Sequence, residues 1–199
     1  MEKRLASLGL VDIQSIDTTI LVELKYATTD NFTGKILYND LKKAYLQPDV
    51  ANMLAAAQTY LKKEFPHLSL LVYDAARPLS VQQEMYECVK GTLKHRYVAP
   101  PEKTGLHNYG AAVDLTVIDI HSGTLLDMGT PFDFFGRKAG ISEESALIQE
   151  GQLTQQQVNN RKLLRNVMRK AGFQTIRGEW WHFNACSLQR AKEKYELIR

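Results

Sequence analysis

The stretch "AAVDLTVIDIHSGTLLDM", residues 111 to 128, restricts the choice of fold more than any other in the chain. Its first ten residues have the apolar, β-branched character of a strand, Ser122-Gly123 supplies a turn, and "TLLDM" reads as a short return strand. A tight connection of this kind joins antiparallel strands; a parallel pair needs a long crossover. A second apolar run, "LSLLVYDAAR" at residues 68 to 77, reads as a buried strand that ends at Asp74 and Arg77 just before Pro78.

Helical patterns fill the space between. From Pro48 to about residue 65, Val50, Met53, Leu54, Ala57 and Leu61 recur at helical spacing. Ser80 and Gln83 have capping-box spacing ahead of Val81, Met85, Cys88 and Val89, and a loop then runs through Pro100 and Pro101 to Thr104. Thr154 and Gln157 repeat the capping pattern before Leu164, Val167, Met168 and Ala171, with Gly172 as the stop. "GTPFDFFGRKAGI", residues 129 to 141, has no clean period and reads as an irregular loop packed by its phenylalanines. "FQTIRGEWWHFN" is strand-like around Gly178, and a polar helix closes the chain from about Ser187. These elements predict an α+β fold with a central antiparallel sheet flanked by helices, not a doubly wound parallel sheet.

At 199 residues the chain is expected to form a single domain, residues 1 to 199. A net charge of +3 from scattered basic and acidic residues gives no reason to expect a nucleic-acid partner. No apolar run is long enough to span a membrane, and "MEKRLASLGLVDIQ" has no apolar leader core. A cytoplasmic location is therefore expected, or a periplasmic one if a leader has been trimmed. The two cysteines, Cys88 and Cys186, are too few for a disulfide framework or a thiolate zinc site, so any metal must rest on nitrogen and oxygen.

Such ligands are present in "GLHNYGAAVD", where His107 and Asp114 flank a small-residue turn whose Gly110, Ala111 and Ala112 would let the backbone pass close to an ion. His182 in "EWWHF" offers a third donor, and Glu179 lies three residues before it, suited to take a proton from an activated water. In an ideal strand, positions three apart face opposite ways, so a kink near Gly178 is required. Arg77, oriented by Asp74, could meet a developing oxyanion. The plainer readings stand beside these: a histidine ahead of a strand is more often structural, Asp-x-x-Arg is more often a surface ion pair, and tandem tryptophans are more often core. His67, His95 and His121 carry no assigned role, with His121 a reserve ligand beside Asp114.

Taken in order, "LKYATTDNFTG", "YDAARP", "GLHNYGAAVDLT", "MGTPFDFF" and "EWWHF" resemble the D-alanyl-D-alanine dipeptidases of the zinc D-Ala-D-Ala metallopeptidase group, whose fold is shared with the signalling domain of Hedgehog proteins. The resemblance spans roughly residues 20 to 184. It implies one zinc per chain held by His107, Asp114 and His182, Glu179 as general base and acid, and Arg77 as stabiliser of the transition state. It further implies that Asp133 receives the ammonium of a small dipeptide substrate, with Tyr26 and Tyr38 lining the pocket. The family usually has serine just before the first ligand. Here Gly105 and Leu106 stand in that place, so a hydroxyl contact to the substrate carboxylate is either absent or taken over by Thr104 or a backbone N–H. The implied activity is hydrolysis of D-Ala-D-Ala, or a close D,D-dipeptide, in a bacterial protein. The alternatives are a carboxypeptidase or endopeptidase on peptidoglycan stem peptides, or a non-catalytic binding module with a structural zinc. Oligomeric state is left open.

Overall fold

A computed structural model describes residues 1–92, 94–95, 98–100 and 102–199; Pro101, read above as part of a loop, lies outside them. The chain opens with a short helix α1 (Glu2–Ser7), strand β1 (Val11–Asp12), helix α2 (Ile13–Ile16) and strand β2 (Leu21–Val22). Strand β3 (Tyr45–Leu46) pairs antiparallel with β1 in a separate small sheet.

The central sheet is built on β4 (Leu68–Asp74) and β5 (Ala112–Asp119), whose apolar runs were legible as strands. After a turn, β5 pairs with β6 (Thr124–Leu125), as the Ser122-Gly123 signal requires. The stretch read as strand-like around Gly178 is two short strands, β7 (Gln174–Thr175) and β8 (His182–Asn184), with residues 176–181 bending between them. The strands lie in the order β2-β4-β5-β8-β7, and every pairing is antiparallel except β2 with β4 at one edge.

Helix α3 (Pro48–Glu64) buries Val50, Ala51, Leu54, Ala57 and Leu61 and lies against β4. It also packs on α6 (Gln155–Lys170), which buries Leu164, Val167 and Met168. Leu70, Val72, Val113, Leu115, Val117 and Phe183 of the sheet join the same core. Burial of this kind stabilises by about 1.5–3 kcal/mol for each large side chain, which outweighs helix propensity in deciding where the helices sit.

The capping box at α6 forms as its sequence predicts: the Gln157 N–H donates to Thr154 Oγ1 at 3.1 Å and the Thr154 N–H to Gln157 Oε1 at 2.9 Å. The one expected at Ser80 does not. Helix α4 (Leu79–Val89) starts directly after Pro78, and the Leu79 N–H is taken by the carbonyl of Ile198 at 2.8 Å, so a distant segment supplies the cap. Two further helices, α5 (Glu144–Gln149) and α7 (Leu188–Lys194, capped by Ser187), complete the chain.

Candidate metal centre and catalytic cavity

Register across three strands creates the site. Asp114 of β5 stands directly opposite Asp74 of β4 on one side and His182 of β8 on the other. Residues paired in this way project to the same face, so two carboxylates and an imidazole form a row. The alignment depends on a bulge: Val72 pairs with Leu115, but the next pairing is Asp74 with Asp114, leaving Tyr73 as an extra residue in β4. Without that insertion Tyr73 would face Asp114, and Asp74 would point to the other side.

His107 reaches the row from a 3-10 turn (Leu106–Tyr109). Its Nε2 lies 3.2 Å from His182 Nδ1 and 3.4 Å from Asp114 Oδ2, and His182 Nδ1 lies 2.9 Å from Asp114 Oδ1. One donor atom from each residue falls within 4.8 Å of the others.

The outer nitrogens of both rings are committed elsewhere. His107 Nδ1 is 2.7 Å from the Ala75 carbonyl, which can only accept, so that nitrogen carries the proton and Nε2 presents its lone pair inward. His182 Nε2 is 2.6 Å from Asn184 Oδ1, which fixes its lone pair on Nδ1 in the same way. Two lone pairs and a carboxylate converging on one point repel one another unless a positive charge lies between them. Burial alone would raise the carboxyl of Asp114, yet His107 and His182 pull it far below the usual range. Burial opposes the charge on His182, but Asp114 lifts that imidazole to about 9. The donors therefore fit a divalent cation of the kind that takes two imidazoles and a carboxylate.

The small residues between the first two donors have a different purpose from the one expected. Gly110 has φ 63°, and a Cβ there would lie 2.8 Å from Leu10 Cδ2 and 3.3 Å from the Gln47 nitrogen. Ala111 and Ala112 pack with Leu106 and Tyr109 against Ala191 of α7. Close packing behind the turn, not approach to an ion, calls for small residues here. His121 is not a reserve ligand: it lies in the turn beyond the far end of β5, its ring centroid 6.2 Å from that of His67.

Glu179 precedes β8 within the bend, so the opposite-face geometry of a strand does not apply to it. It lines the same cavity of about 320 Å³ as His107, Asp114, His182, Arg77 and Asp133. Burial, with a smaller push from Asp114, raises its carboxyl above the usual range although His182 and His107 act against this. Arg77 is half-buried beside Asp74: Nε donates to Asp74 Oδ2 at 2.8 Å, Nη2 to the same oxygen at 2.5 Å, and Nη1 to Gln82 Oε1 at 2.9 Å. Burial disfavours its charge, but Asp74 more than compensates, so the guanidinium stays ionised. Three of its five N–H groups are thus used in hydrogen bonds, and Nη2 also lies 3.7 Å from Asp114 Oδ2, so the guanidinium borders the donor triad.

Asp133 adopts φ 58° and accepts a hydrogen bond from the Tyr26 hydroxyl at 2.8 Å. Burial raises its carboxyl well above the normal range, the Tyr26 bond opposing. Tyr26 lines the cavity, with the Arg77 guanidinium 5.3 Å above its ring. Tyr38 does not form part of the wall: its hydroxyl donates to Asp74 Oδ1 at 2.6 Å, behind Arg77, so it braces the carboxylate that orients the guanidinium. Thr104 is likewise absent from the wall, its hydroxyl 3.3 Å from that of Tyr109, whereas Gly105 and Leu106 do face the cavity.

Two residues not singled out from sequence join the site. Asn184 was legible in principle, since it lies two positions after His182 on the same strand face. Gln82 was not: it accepts from Arg77 and donates to the Ala99 carbonyl at 3.0 Å, contacts that no local pattern announces.

A donor triad of two imidazoles and one carboxylate, with a second carboxylate and a guanidinium in the same cavity, defines the class as a metallopeptidase. A family model described as D-Ala-D-Ala dipeptidase matches residues 6–196. The chain is 33% identical to D-alanyl-D-alanine dipeptidase of Escherichia coli K12, covering 87% of this chain and 83% of that one. The enzyme of the same name from Enterococcus faecalis V583 is 30% identical over 81% of this chain and 83% of its own, and that from Streptomyces coelicolor is 30% identical over the same shares. The chain belongs to the D-Ala-D-Ala dipeptidase family of metallopeptidases.

Proposed function

We propose that the protein hydrolyses free D-Ala-D-Ala, or a closely related D,D-dipeptide, with one zinc ion held by His107, Asp114 and His182. The observation that carries this reading is that a half-buried carboxyl group, that of Asp133, lines the same small cavity as the three donors and Glu179. A volume of about 320 Å³ is at the low end for small-molecule sites, which suits a dipeptide.

Held by His107, Asp114 and His182, a zinc ion would supply Lewis acidity to a water molecule and to the scissile carbonyl. Glu179 is the proton carrier of the cavity, taking a proton from the attacking water and giving it to the leaving amine, and its raised carboxyl suits it to hold that proton. Arg77, held by Asp74 and Gln82 and bordering Asp114, supplies a fixed positive charge to the carbonyl oxygen as negative charge develops on it. Asp133 receives the substrate ammonium, with Tyr26 fixing one carboxylate oxygen.

A buried counter-charge at the amino end favours a free dipeptide over a stem peptide, whose corresponding nitrogen is uncharged and whose chain must continue outward. Glu179 and Arg77 in one cavity with the donors speak against a binding module without turnover. We also read residues 1 to 199 as one domain, because strands from both halves of the chain share the sheet that carries the site.

The test is a release assay on D-Ala-D-Ala, its L,L and mixed isomers and its N-acetylated form, with and without chelator. Free D-Ala-D-Ala should be cleaved and chelator should stop it, and Glu179→Gln should retain zinc while losing about 10²–10⁴-fold in kcat. Equal cleavage of the N-acetylated dipeptide, or chelator-resistant release, contradicts the reading.

A further inference from the structure

Arg161 of α6 is fully buried, yet it touches neither the cavity nor any of the site residues named above. Its guanidinium reaches the loop that carries Asp133 and holds it at both ends. Nε donates to the Met128 carbonyl at 2.7 Å, Nη2 to the Lys138 carbonyl at 3.0 Å, and Nη1 lies 3.5 Å from the Gly140 carbonyl. Asp133 lies between those ends. Neighbours on α6 reinforce the first anchor: Asn160 donates to the Asp127 carbonyl and Gln157 to the Asp127 carboxylate, both at 2.8 Å.

The loop needs such a hub. Residues 129–136 form no helix or strand, so no ladder fixes their course, and the segment is held through the carbonyls at its two ends. Gly129 has φ 79°, and a Cβ there would run into Leu153 and Gln157, so the loop leaves α6 at a fixed angle. Asp133 itself holds a left-handed conformation that is costly for a residue with a side chain, and it persists only if its surroundings dictate it. A buried guanidinium is expensive, and an apolar side chain of similar size could fill the volume. What the arginine adds is a planar fork that fixes the separation of three carbonyls.

We propose that Arg161 is a positioning residue for substrate recognition: by bridging Met128 to Lys138 and Gly140, it sets where the Asp133 carboxylate stands at the amino end of the cavity. This rests on the dipeptidase reading, in which Asp133 receives the ammonium. The segment bearing Glu179 also meets the loop, through the Ile141 N–H to the Arg177 carbonyl at 2.9 Å and Trp180 Nε1 to Thr130 Oγ1 at 2.8 Å, but it has a further tie to the sheet that Arg161 does not touch, the Leu115 N–H to the Trp181 carbonyl at 3.1 Å. Loss of Arg161 should therefore move KM more than kcat.

The experiment compares Arg161→Met and Arg161→Lys with Arg165→Met in the zinc-loaded protein. Arg165 forms a buried pair with Glu144, at 2.8 and 2.7 Å, and makes no hydrogen bond to the loop carbonyls; Arg161 Nη1 also lies 3.7 Å from Glu144 Oε1, so Arg165→Met controls both for general destabilisation and for loss of the shared ion pair. Arg161→Met should raise KM for D-Ala-D-Ala roughly tenfold or more, with kcat within about threefold, and should reduce the preference for the free over the N-acetylated dipeptide. Amide exchange should quicken in residues 129–136 of that variant, and Arg161→Lys should show a smaller effect of the same kind. Arg165→Met should lower Tm but leave KM and loop exchange unchanged. An unchanged KM in a folded Arg161 variant, or an equal rise in Arg165→Met, overturns the proposal; should Arg161→Met not fold, Arg161→Lys decides by the same two readouts. Asp133→Asn is the reference: if it too leaves KM and preference unchanged, the ammonium role itself is wrong, whatever Arg161 does.

Discussion

Asp133, proposed above to receive the substrate ammonium, is held in place at a cost in stability. Asp133 is half-buried with its backbone at φ 58°, and desolvation of its carboxyl makes the folded protein hold that proton to a higher pH than the unfolded chain does. The sign follows from linkage. Below the ordinary aspartate value of about 3.9 both states are protonated and nothing is lost; as pH rises from there toward the raised folded value, the unfolded chain ionises first and stability falls. Asp133→Asn removes that loss, so in the zinc-free protein it should raise Tm at neutral pH by an amount equivalent to roughly 1–3 kcal/mol, and the gain should shrink as the pH is lowered toward 4. Thermal melts across pH check this; a gain that does not vary with pH would show that burial does not govern Asp133. His107, Asp114, His182, Glu179, Arg77 and Asp133 could all be named from sequence, and they meet in one cavity. Tyr38 was assigned to the wall, but it serves Asp74 instead, because the motif reveals which residues are near and not which layer they occupy. Gln82 and Arg161 were missed for a related reason: their partners are backbone carbonyls or side chains brought close only by the folded chain.

Among the elements, the strands with continuous apolar character were legible and the marginal ones were not. Residues 68–74 and 112–119 are buried along most of their length, so hydrophobicity alone marks them. Leu21–Val22 is two residues long and pairs in parallel with β4, and nothing so short carries a period. The bulge at Tyr73 was equally hidden, although it decides that Asp74 faces Asp114. Ser80 misled because capping chemistry is local only when no other chain segment arrives first, and here the Ile198 carbonyl does. The 3-10 turn bearing His107 makes a direct prediction. Gly110→Ala places a Cβ against Leu10 and Gln47 at a positive φ, so it should destabilise the protein by about 1–3 kcal/mol and weaken zinc affinity by displacing His107. Denaturant unfolding and a zinc titration measure the two effects. A variant as stable and as tight in binding as the parent would mean that the turn yields without strain.

Across the whole molecule, the centre exists only when the sheet is assembled. His107 and His182 are 75 residues apart in sequence; Asp114 meets His182 because β8 pairs with β5, and meets His107 because the 3-10 turn just before β5 folds back over the end of β4, where the His107 ring reaches the Ala75 carbonyl. The antiparallel core expected from the Ser122-Gly123 hairpin is therefore what brings the donors together, and the parallel edge strand leaves that arrangement untouched. A cation held by the folded state alone stabilises it by about 2.7 kcal/mol at a concentration one hundred times its Kd. The most direct test of the account is a calorimetric titration of the metal-free protein with zinc, alongside His107→Ala and His182→Ala. One equivalent bound by the parent, and affinity reduced by orders of magnitude in each variant, is the predicted result; a parent that takes up no zinc, or variants that bind it as tightly as the parent, would contradict the central claim.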